Sequence, residues 1–318
     1  MTSADLLQEL RNCLWNEIPL PGRGNTSDRH LRLMEFGRRN LSFARLAEAH
    51  YDAVAILAEA NRRAKCDAIY GVWASESPGK GLALSSSSSG GLLVDGEKRF
   101  CSGAALVDRA LVTVTEPEHR LIEIDMRAAA DTIFIDESEW KTEAFRETKT
   151  ATVTFGGVHI VQEDVIGDAG WYLNRPGFWH GACGPAACWA GGAEGLMDYA
   201  RMQTRSDPHT LAHQGAMHAS IWAMRSVLQR AGEEIDQHPE NSFNGQIRAL
   251  AFRHLVEQAC SDLLRRFARA YGPYPLAMNE KSAQRYQELD LYLRQSHAER
   301  DLESLGGLVR NQHSIEEP

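Results

Sequence analysis

A histidine and several carboxylates near the C-terminus have the side chains that proton transfer requires. His297 carries an imidazole, which titrates near neutrality and can take up a proton at physiological pH. Glu299, Asp290 and Glu288 add carboxylates in the same stretch. His297 is therefore a candidate general base. The alternative is a polar residue on the exposed side of a helix over 291–305, because charged residues surround it.

The spacing of cysteine and histidine residues argues against metal chemistry. The six cysteines include no Cys-x-x-Cys pair, and no group of histidines has the spacing of a metal site. We expect reduced, mostly buried thiols and no metal. His180, which follows a turn, is a further candidate for a side chain that faces a pocket.

The amino-acid composition argues against nucleic acid and membranes as partners. The chain has 318 residues, of which 43% are hydrophobic, and a formal net charge of −9. Acidic chains with scattered basic residues are a poor match for nucleic acid or an anionic membrane. No charge-free window is long enough to span a bilayer, and the N-terminal residues lack the pattern of a signal peptide. The expected location is the cytoplasm.

The elements that must position these side chains fall into three zones. Hydrophobic spacing is helical over residues 1–65, strand-like over 66–175 and helical again over 176–318. This order predicts an α+β fold, with an N-terminal helical domain, a middle β-domain and a C-terminal helical bundle. These three zones are also the predicted domains.

Local patterns give more detail. Asp95-Gly96 and Gly156-Gly157 predict hairpin turns, and a strand pair is expected around Glu116-Pro117. Two long amphipathic stretches, about 212–237 and 245–270, predict antiparallel helices of a bundle. The segment before them is rich in small residues, which allow helices to pack closely. This packing must offset the loss of helix stability that Gly191 and its neighbouring glycines cause.

Five segments occur in an order that resembles a known family. They are Val72–Gly79, Asp95–Ala104, Trp140–Thr148, Val153–Ile160 and Ile166–Tyr172. This series resembles the middle domain of the acyl-CoA dehydrogenases, which are FAD flavoproteins. The resemblance implies an acyl-CoA-dehydrogenase-like fold with a β-barrel-like middle domain. Fewer residues precede Ser75 than the family usually has, which implies a shortened N-terminal domain.

The resemblance assigns flavin contacts to the middle domain. Ser75 lies in a loop that in the family places backbone groups and a small hydroxyl against the flavin edge. Phe100 and Ser102 match an aromatic residue that packs on the flavin ring and a hydroxyl residue that bonds to it. The loop departs from the family at Lys80-Gly81-Leu82, where Gly-Ser-Asp is usual. This departure weakens any transfer of substrate contacts from the loop.

The resemblance also implies a cofactor site shared between subunits. Arg205 and Gln214 match the residues that in the family reach the FAD diphosphate of a neighbouring subunit, and a guanidinium suits a diphosphate by bidentate geometry. Gly272 matches a turn that contacts the neighbour's adenosine, with Pro273 in place of a glycine. A homodimer or homotetramer follows from this resemblance.

The family's chemistry needs a carboxylate that removes the proton alpha to a thioester while a hydride leaves for the flavin. The two positions where the family carries this base fall near Gln295-Ser296-His297 and Pro185-Ala186-Ala187, which contain no carboxylate. His297 and Glu299 are the catalytic candidates that remain.

Three functions stay open. The first is α,β-dehydrogenation of an acyl substrate, possibly a coenzyme A thioester, with FAD and an electron-transfer partner. The second is a flavin-dependent monooxygenase or oxidase that uses oxygen, which Ser296-His297 favours. The third is a non-catalytic relative on the same fold.

Overall fold

The computed structural model describes residues 1–13, 17–77, 79, 81–88 and 90–316, without the side chains of Cys13 and of residues 312–316. Pro78 and Lys80 of the resembling loop lie outside the described residues. The chain forms two compact units, residues 1–17 with 45–178 and residues 18–44 with 179–318. The division into domains at 1–65, 66–175 and 176–318 stays a prediction.

The first unit holds two four-stranded sheets. Its strands are β1 (Tyr70–Trp73), β2 (Leu82–Ser86), β3 (Leu92–Cys101), β4 (Arg109–Val114), β5 (Arg120–Asp125), β6 (Ile133–Asp136), β7 (Ala151–Ile160) and β8 (Val165–Ile166). One sheet has the order β1-β4-β5-β8, with β1 parallel to β4. The other has the order β2-β3-β7-β6 and is antiparallel throughout.

Three helical segments of the described chain also belong to this unit. They are α1 (Ser3–Cys13), the part of α3 (Leu41–Glu59) that begins at Arg45, and α4 (Trp171–Asn174). Ile56 and Leu57 of α3 pack with Tyr70, Leu111 and Leu121 of the first sheet in one buried cluster. Burial of such side chains contributes roughly 1.5–3 kcal/mol each, so this cluster fixes α3 on the sheet.

The strand pair around Glu116-Pro117 is confirmed, because β4 and β5 are antiparallel neighbours. The two hairpin turns predicted at Asp95-Gly96 and Gly156-Gly157 are wrong. Both dipeptides lie inside continuous strands, where β3 and β7 pair through a bulge and Gly157 donates its N–H to Asp95 Oδ1 at 2.8 Å. Gly157 has a φ of +70°, which a glycine bulge needs as much as a turn does.

The second unit is helical. Its helices are α2 (Thr26–Arg39), α6 (Cys183–Arg201), α7 (Pro208–Gln237), α8 (Ser242–Tyr271), α9 (Tyr274–Ala277), α10 (Glu280–Leu293) and α11 (Glu299–Glu316); α5 (Pro176–Gly181) leads into it. The two long helices predicted from periodicity are therefore confirmed as α7 and α8. Asp207 caps α7 by accepting the N–H groups of His209 and Thr210, with Pro208 at the first helical position.

Helix α6 packs closely against α2. A Cβ built on Gly191 would lie 1.9 Å from the carbonyl oxygen of Met34, and one built on Gly37 would lie 2.2 Å from that of Cys188. Glycine is required at both positions because the opposing backbone occupies the space of a side chain. In the described part of the chain, none of the helices combines the length and apolarity that crossing a bilayer needs.

The helix expected over 291–305 is interrupted. Helix α10 ends at Leu293 and α11 begins at Glu299, so residues 294–298 form a connection. Ala298 in this connection has a φ of +48°, which a continuous helix does not allow. His297 therefore lies between two helices and not on the face of one.

Candidate active site

The predicted aromatic contact residue, Phe100, lies at a bulge near the end of β3. Lys98 pairs with Val153 and Cys101 with Ala151, so β3 carries one residue more than β7 in this interval. Phe100 has a φ of +58°, and its side chain is 56% exposed. A bulky residue in left-handed conformation is uncommon and costs of the order of 1–3 kcal/mol. The bulge turns the aromatic ring out of the strand toward solvent.

A cavity of about 440 Å³ opens beside this ring. Trp140 forms one side and meets the Phe100 ring edge-on, with the ring centroids 6.4 Å apart. The remaining lining residues are Arg99, Glu139, Lys141, Thr150, Ala151 and Thr152. Two aromatic rings suit a flat ring system, and the two cations exceed the one carboxylate of the lining by a single charge.

The predicted hydroxyl residue, Ser102, is buried two positions after Phe100. Its Oγ accepts a hydrogen bond from Arg45 Nε at 3.0 Å and is hydrogen-bonded to Thr150 Oγ1 at 3.1 Å. Its carbonyl oxygen accepts a bond from Trp73 Nε1 at 3.0 Å. Ser102 is thus held by three hydrogen bonds just after β3.

The loop after β1 places Ser75 and Glu76 in exposed positions. Glu76 Oε1 lies 3.4 Å from Nε2 of His119, whose ring is stacked on Tyr172. Burial raises the pKa of the Tyr172 hydroxyl well above its usual value. His119 belongs to no motif of the sequence that would point to a site, because it is a single histidine next to a strand.

In the second unit, the structure brings Arg205, Gln214 and Gly272 together at the C-terminal end of α8. Arg205 Nη1 donates to the carbonyl oxygen of Ala270 at 3.2 Å, and Gln214 Nε2 donates to the hydroxyl of Tyr271 at 2.7 Å. Gly272 ends α8 with a φ of +67°. The sequence did not anticipate that Arg205 Nε also donates to Asp207, at 2.7 Å.

The Asp207 carboxylate is held ionised by its neighbours. Hydrogen bonds from Thr210 lower its pKa most, and the Arg205 guanidinium lowers it further. Because Asp207 stays charged, it neutralises much of the charge of Arg205 at neutral pH. Any anion bound at Arg205 must compete with this carboxylate.

The candidate bases lie in the second unit. His297 is 59% exposed, and its Nδ1 lies 3.3 Å from Asp301 Oδ1. Glu299 is exposed at the first position of α11. Glu288 is buried and accepts a bond from Ser42 Oγ at 2.6 Å. His180 is buried, with Nε2 2.8 Å from the carbonyl oxygen of Pro239. Their catalytic roles stay predictions.

The residues of the first unit fit a flavin. A flavin combines a flat aromatic ring with a phosphate-bearing tail, and its ring carries acceptor atoms. Phe100 and Trp140 offer aromatic surface, and Lys141 offers a cation. The second cation, Arg99, is paired with the Glu139 carboxylate at 3.5 Å. The left-handed backbone conformation of Phe100 is strained, and such strain is typical of functional sites.

The strain at Phe100 gives a stability prediction. Phe100→Gly is expected to be more stable than Phe100→Ala by about 1 kcal/mol, because glycine adopts a positive φ without penalty. Exposed Phe134 on strand β6 of the same sheet is the control, since Phe134→Gly should be less stable than Phe134→Ala by roughly 0.5–1 kcal/mol. Urea unfolding of the four variants measures both differences. The same order at both positions would contradict strain at Phe100.

No protein-family model matches this chain, and no curated protein matches it. Solved structures do match. Methanesulfinate monooxygenase MsuC from Pseudomonas fluorescens is 17% identical, with a TM-score of 0.80 over 98% of this chain and 91% of that one. TdsC from Paenibacillus sp. A11-2, a dibenzothiophene monooxygenase, is 15% identical in its complex with FMN and indole, with a TM-score of 0.78 over 98% and 96%.

A nitrososynthase from Micromonospora carbonacea var. africana is also similar. It is 14% identical, with a TM-score of 0.77 over 96% of this chain and 88% of that one. Likeness at such low identity establishes the fold alone. The α+β, acyl-CoA-dehydrogenase-like fold that the sequence predicts is thereby confirmed.

Proposed function

We propose that this protein is a flavin-dependent monooxygenase. The observation that carries the proposal is the exposed ring of Phe100, which a strained bulge holds beside a cavity that Trp140 also lines, and which offers a stacking surface to a flavin. Reduced flavin, when bound, supplies the electrons for oxygen activation. One oxygen atom then enters the substrate and the other leaves as water, while the flavin is oxidised.

The lack of a carboxylate at both positions of the family's base favours oxygenation over dehydrogenation. Dehydrogenation requires a base at the alpha proton, and both family positions for that base lack a carboxylate in this sequence. Oxygenation has no such requirement. His297, whose Nδ1 lies 3.3 Å from Asp301 Oδ1, is the candidate for proton transfer in either reaction. Two of the similar structures are monooxygenases by name, which supports the same choice.

The second candidate is α,β-dehydrogenation of an acyl substrate, possibly a coenzyme A thioester, with electrons passed to a protein partner. The ordered middle-domain motifs favour it, because they resemble the dehydrogenases over five segments. His297 or Glu299 would then remove the alpha proton. Fold alone does not decide between the two reactions.

FMN is the flavin that we propose, in place of the FAD that the family resemblance implies. Arg205 would meet the FAD diphosphate, yet it is already paired with the ionised Asp207. FMN needs no diphosphate contact, and FMN is the flavin in the TdsC complex. Heat release of the flavin from the purified protein, followed by mass spectrometry, distinguishes the two.

A homodimer or homotetramer is also proposed, on the resemblance of Arg205, Gln214 and Gly272 to a site shared between subunits. These residues lie together at the end of α8, and a shared site built from them belongs to the FAD alternative, because FMN has no diphosphate for Arg205 to contact. Light scattering of the purified protein measures the mass. A monomer that binds flavin fully would contradict a shared site.

Oxygen consumption separates the candidate functions. With FMN, an NADH-linked flavin reductase and organosulfur or amine substrates, we expect oxygen uptake matched by an oxygenated product containing 18O from 18O2. Acyl thioesters should not reduce the bound flavin under anaerobic conditions. Anaerobic bleaching by a thioester would instead establish dehydrogenation, and a protein that binds no flavin would contradict both enzymatic proposals.

A further inference from the structure

The first unit has a second cavity, of about 380 Å³. It is lined by residues of α1, of the segment before β4 and of the edge strand β6. In the part of the chain that the structure describes, it shares no lining residue with the cavity beside Phe100. Its volume lies in the range of small-molecule sites, about 300–1,000 Å³. The apolar side chains of its lining include Leu7, Val107, Met126, Ile133 and Ile135.

Two arginines and one aspartate also line this second cavity. Asp108 Oδ1 accepts a hydrogen bond from Arg127 Nη2 at 2.6 Å, and Arg11 Nη2 lies 3.3 Å from both oxygens of Asp108. The backbone N–H of Ile69 donates to Asp108 Oδ2 at 2.9 Å and fixes the carboxylate in place. Because two guanidinium groups share one carboxylate, the lining carries one positive charge in excess.

Arg127 keeps hydrogen-bond donors that an anion could use. A guanidinium has five N–H groups. Among the described residues, the Arg127 guanidinium is hydrogen-bonded to Asp108 alone, and its side chain is 76% exposed. Arg11 is more fully engaged, since its Nη1 also donates to the carbonyl oxygen of Asp67 at 3.3 Å. Arg127 is therefore the side chain of this cavity that can take a second carboxylate, which matches a guanidinium in bidentate geometry.

We infer that the second cavity binds a carboxylate with an apolar chain, such as a medium-chain fatty acid. The carboxylate of the ligand pairs with Arg127, and its chain covers the apolar side chains around Met126. The ligand then supplies the counter-charge that Asp108 cannot provide to two arginines at once. This site is additional to the proposed flavin site and does not depend on it.

Isothermal titration calorimetry with octanoate tests the inference. The wild type is expected to bind one octanoate per chain with a Kd below about 1 mM. Arg127→Gln should bind octanoate about tenfold more weakly, because it loses a charge-assisted bond. Octanol has the same chain without the charge, so its affinity should be equal for the two proteins.

Two further variants locate the bound octanoate. Ala130 is an exposed residue of the lining, so Ala130→Trp should block the second cavity and abolish binding without altering the core. Lys141 lines the cavity beside Phe100 and is the matched control, because Lys141→Gln also removes one cation of the same unit. Lys141→Gln should bind octanoate as the wild type does.

Three results would overturn the inference. They are the absence of saturable octanoate binding by the wild type, unchanged affinity in Arg127→Gln, and loss of binding in Lys141→Gln, which would place the anion beside Phe100. Urea unfolding of each variant verifies that the fold is retained. FMN titration of Arg127→Gln should give the wild-type result, whether or not the wild type binds FMN, because the two cavities are lined by different residues.

Discussion

Replacing Gly191 by alanine is expected to lower the free energy of unfolding by about 3 kcal/mol or more, which is the upper range for overpacking. The added Cβ would lie 1.9 Å from the carbonyl oxygen of Met34 and 2.7 Å from the backbone nitrogen of Arg38. Both are backbone atoms, so no side-chain rotation relieves the clash. Helices α2 and α6 must separate, and contacts along their whole interface are lost.

Gly215 on α7 is the matched control for Gly191. Nothing lies within 4 Å of a Cβ built there, and its φ is not in the left-handed region. Gly215→Ala should therefore raise the free energy of unfolding by up to about 1 kcal/mol, the helix preference of alanine over glycine. Urea unfolding measures both variants. A Gly191→Ala protein as stable as Gly215→Ala would show that α2 and α6 are not in backbone contact.

Acid is expected to destabilise the protein between pH 6.5 and 4 through two buried histidines. Burial lowers the pKa of His30 to about 4, and it lowers that of His50 to about 4. Above pH 6.5 both imidazoles are neutral in the folded and unfolded chains, so neither changes stability. Below it the unfolded chain takes up protons first, and stability falls by about 3 kcal/mol per histidine as pH reaches 4.

The two histidines have different bonds. His50 Nδ1 accepts the N–H of Tyr70 at 3.2 Å, and protonation of that nitrogen breaks this bond. His30 Nδ1 lies 3.0 Å from the carbonyl oxygen of Leu228.

Unfolding free energies measured across this pH range test the assignment. His50→Gln and His30→Gln should each flatten the pH dependence by about 3 kcal/mol, while exposed His218→Gln should leave it unchanged. Parallel curves for the wild type and the buried-site variants would refute the assignment.

Periodicity predicts helices and strands where hydrophobic side chains repeat regularly, and it found α7, α8 and the pair β4–β5 correctly. It failed at Asp95-Gly96 and Gly156-Gly157 because a glycine with positive φ serves a bulge as well as a turn. Gly96 is needed for another reason. A Cβ there would lie 2.2 Å from the carbonyl oxygen of Gly81 on the neighbouring segment, a tertiary contact that sequence does not reveal.

The candidate site was also predicted only in part. The residues Phe100 and Ser102 were identified from an ordered series of motifs, and the structure places them at one bulge. Arg45 was missed as a partner of Ser102, because helical periodicity assigns it to a polar face and cannot say what that face meets. The exposed Phe100 ring and the strained φ that aims it depend on backbone geometry, which no residue pattern encodes.

The most direct test of a flavin site at Phe100 and Ser102 is FMN fluorescence titration of the purified protein, with Phe100→Ala and Phe134→Ala in parallel. Phe134 is the control because it is an exposed phenylalanine of the same unit, 67% accessible, away from the lining of the cavity. We expect saturable binding by the wild type and Phe134→Ala, and affinity about tenfold weaker for Phe100→Ala. Absence of saturable binding of FMN and FAD, or unchanged affinity in Phe100→Ala, would contradict a flavin site at this bulge.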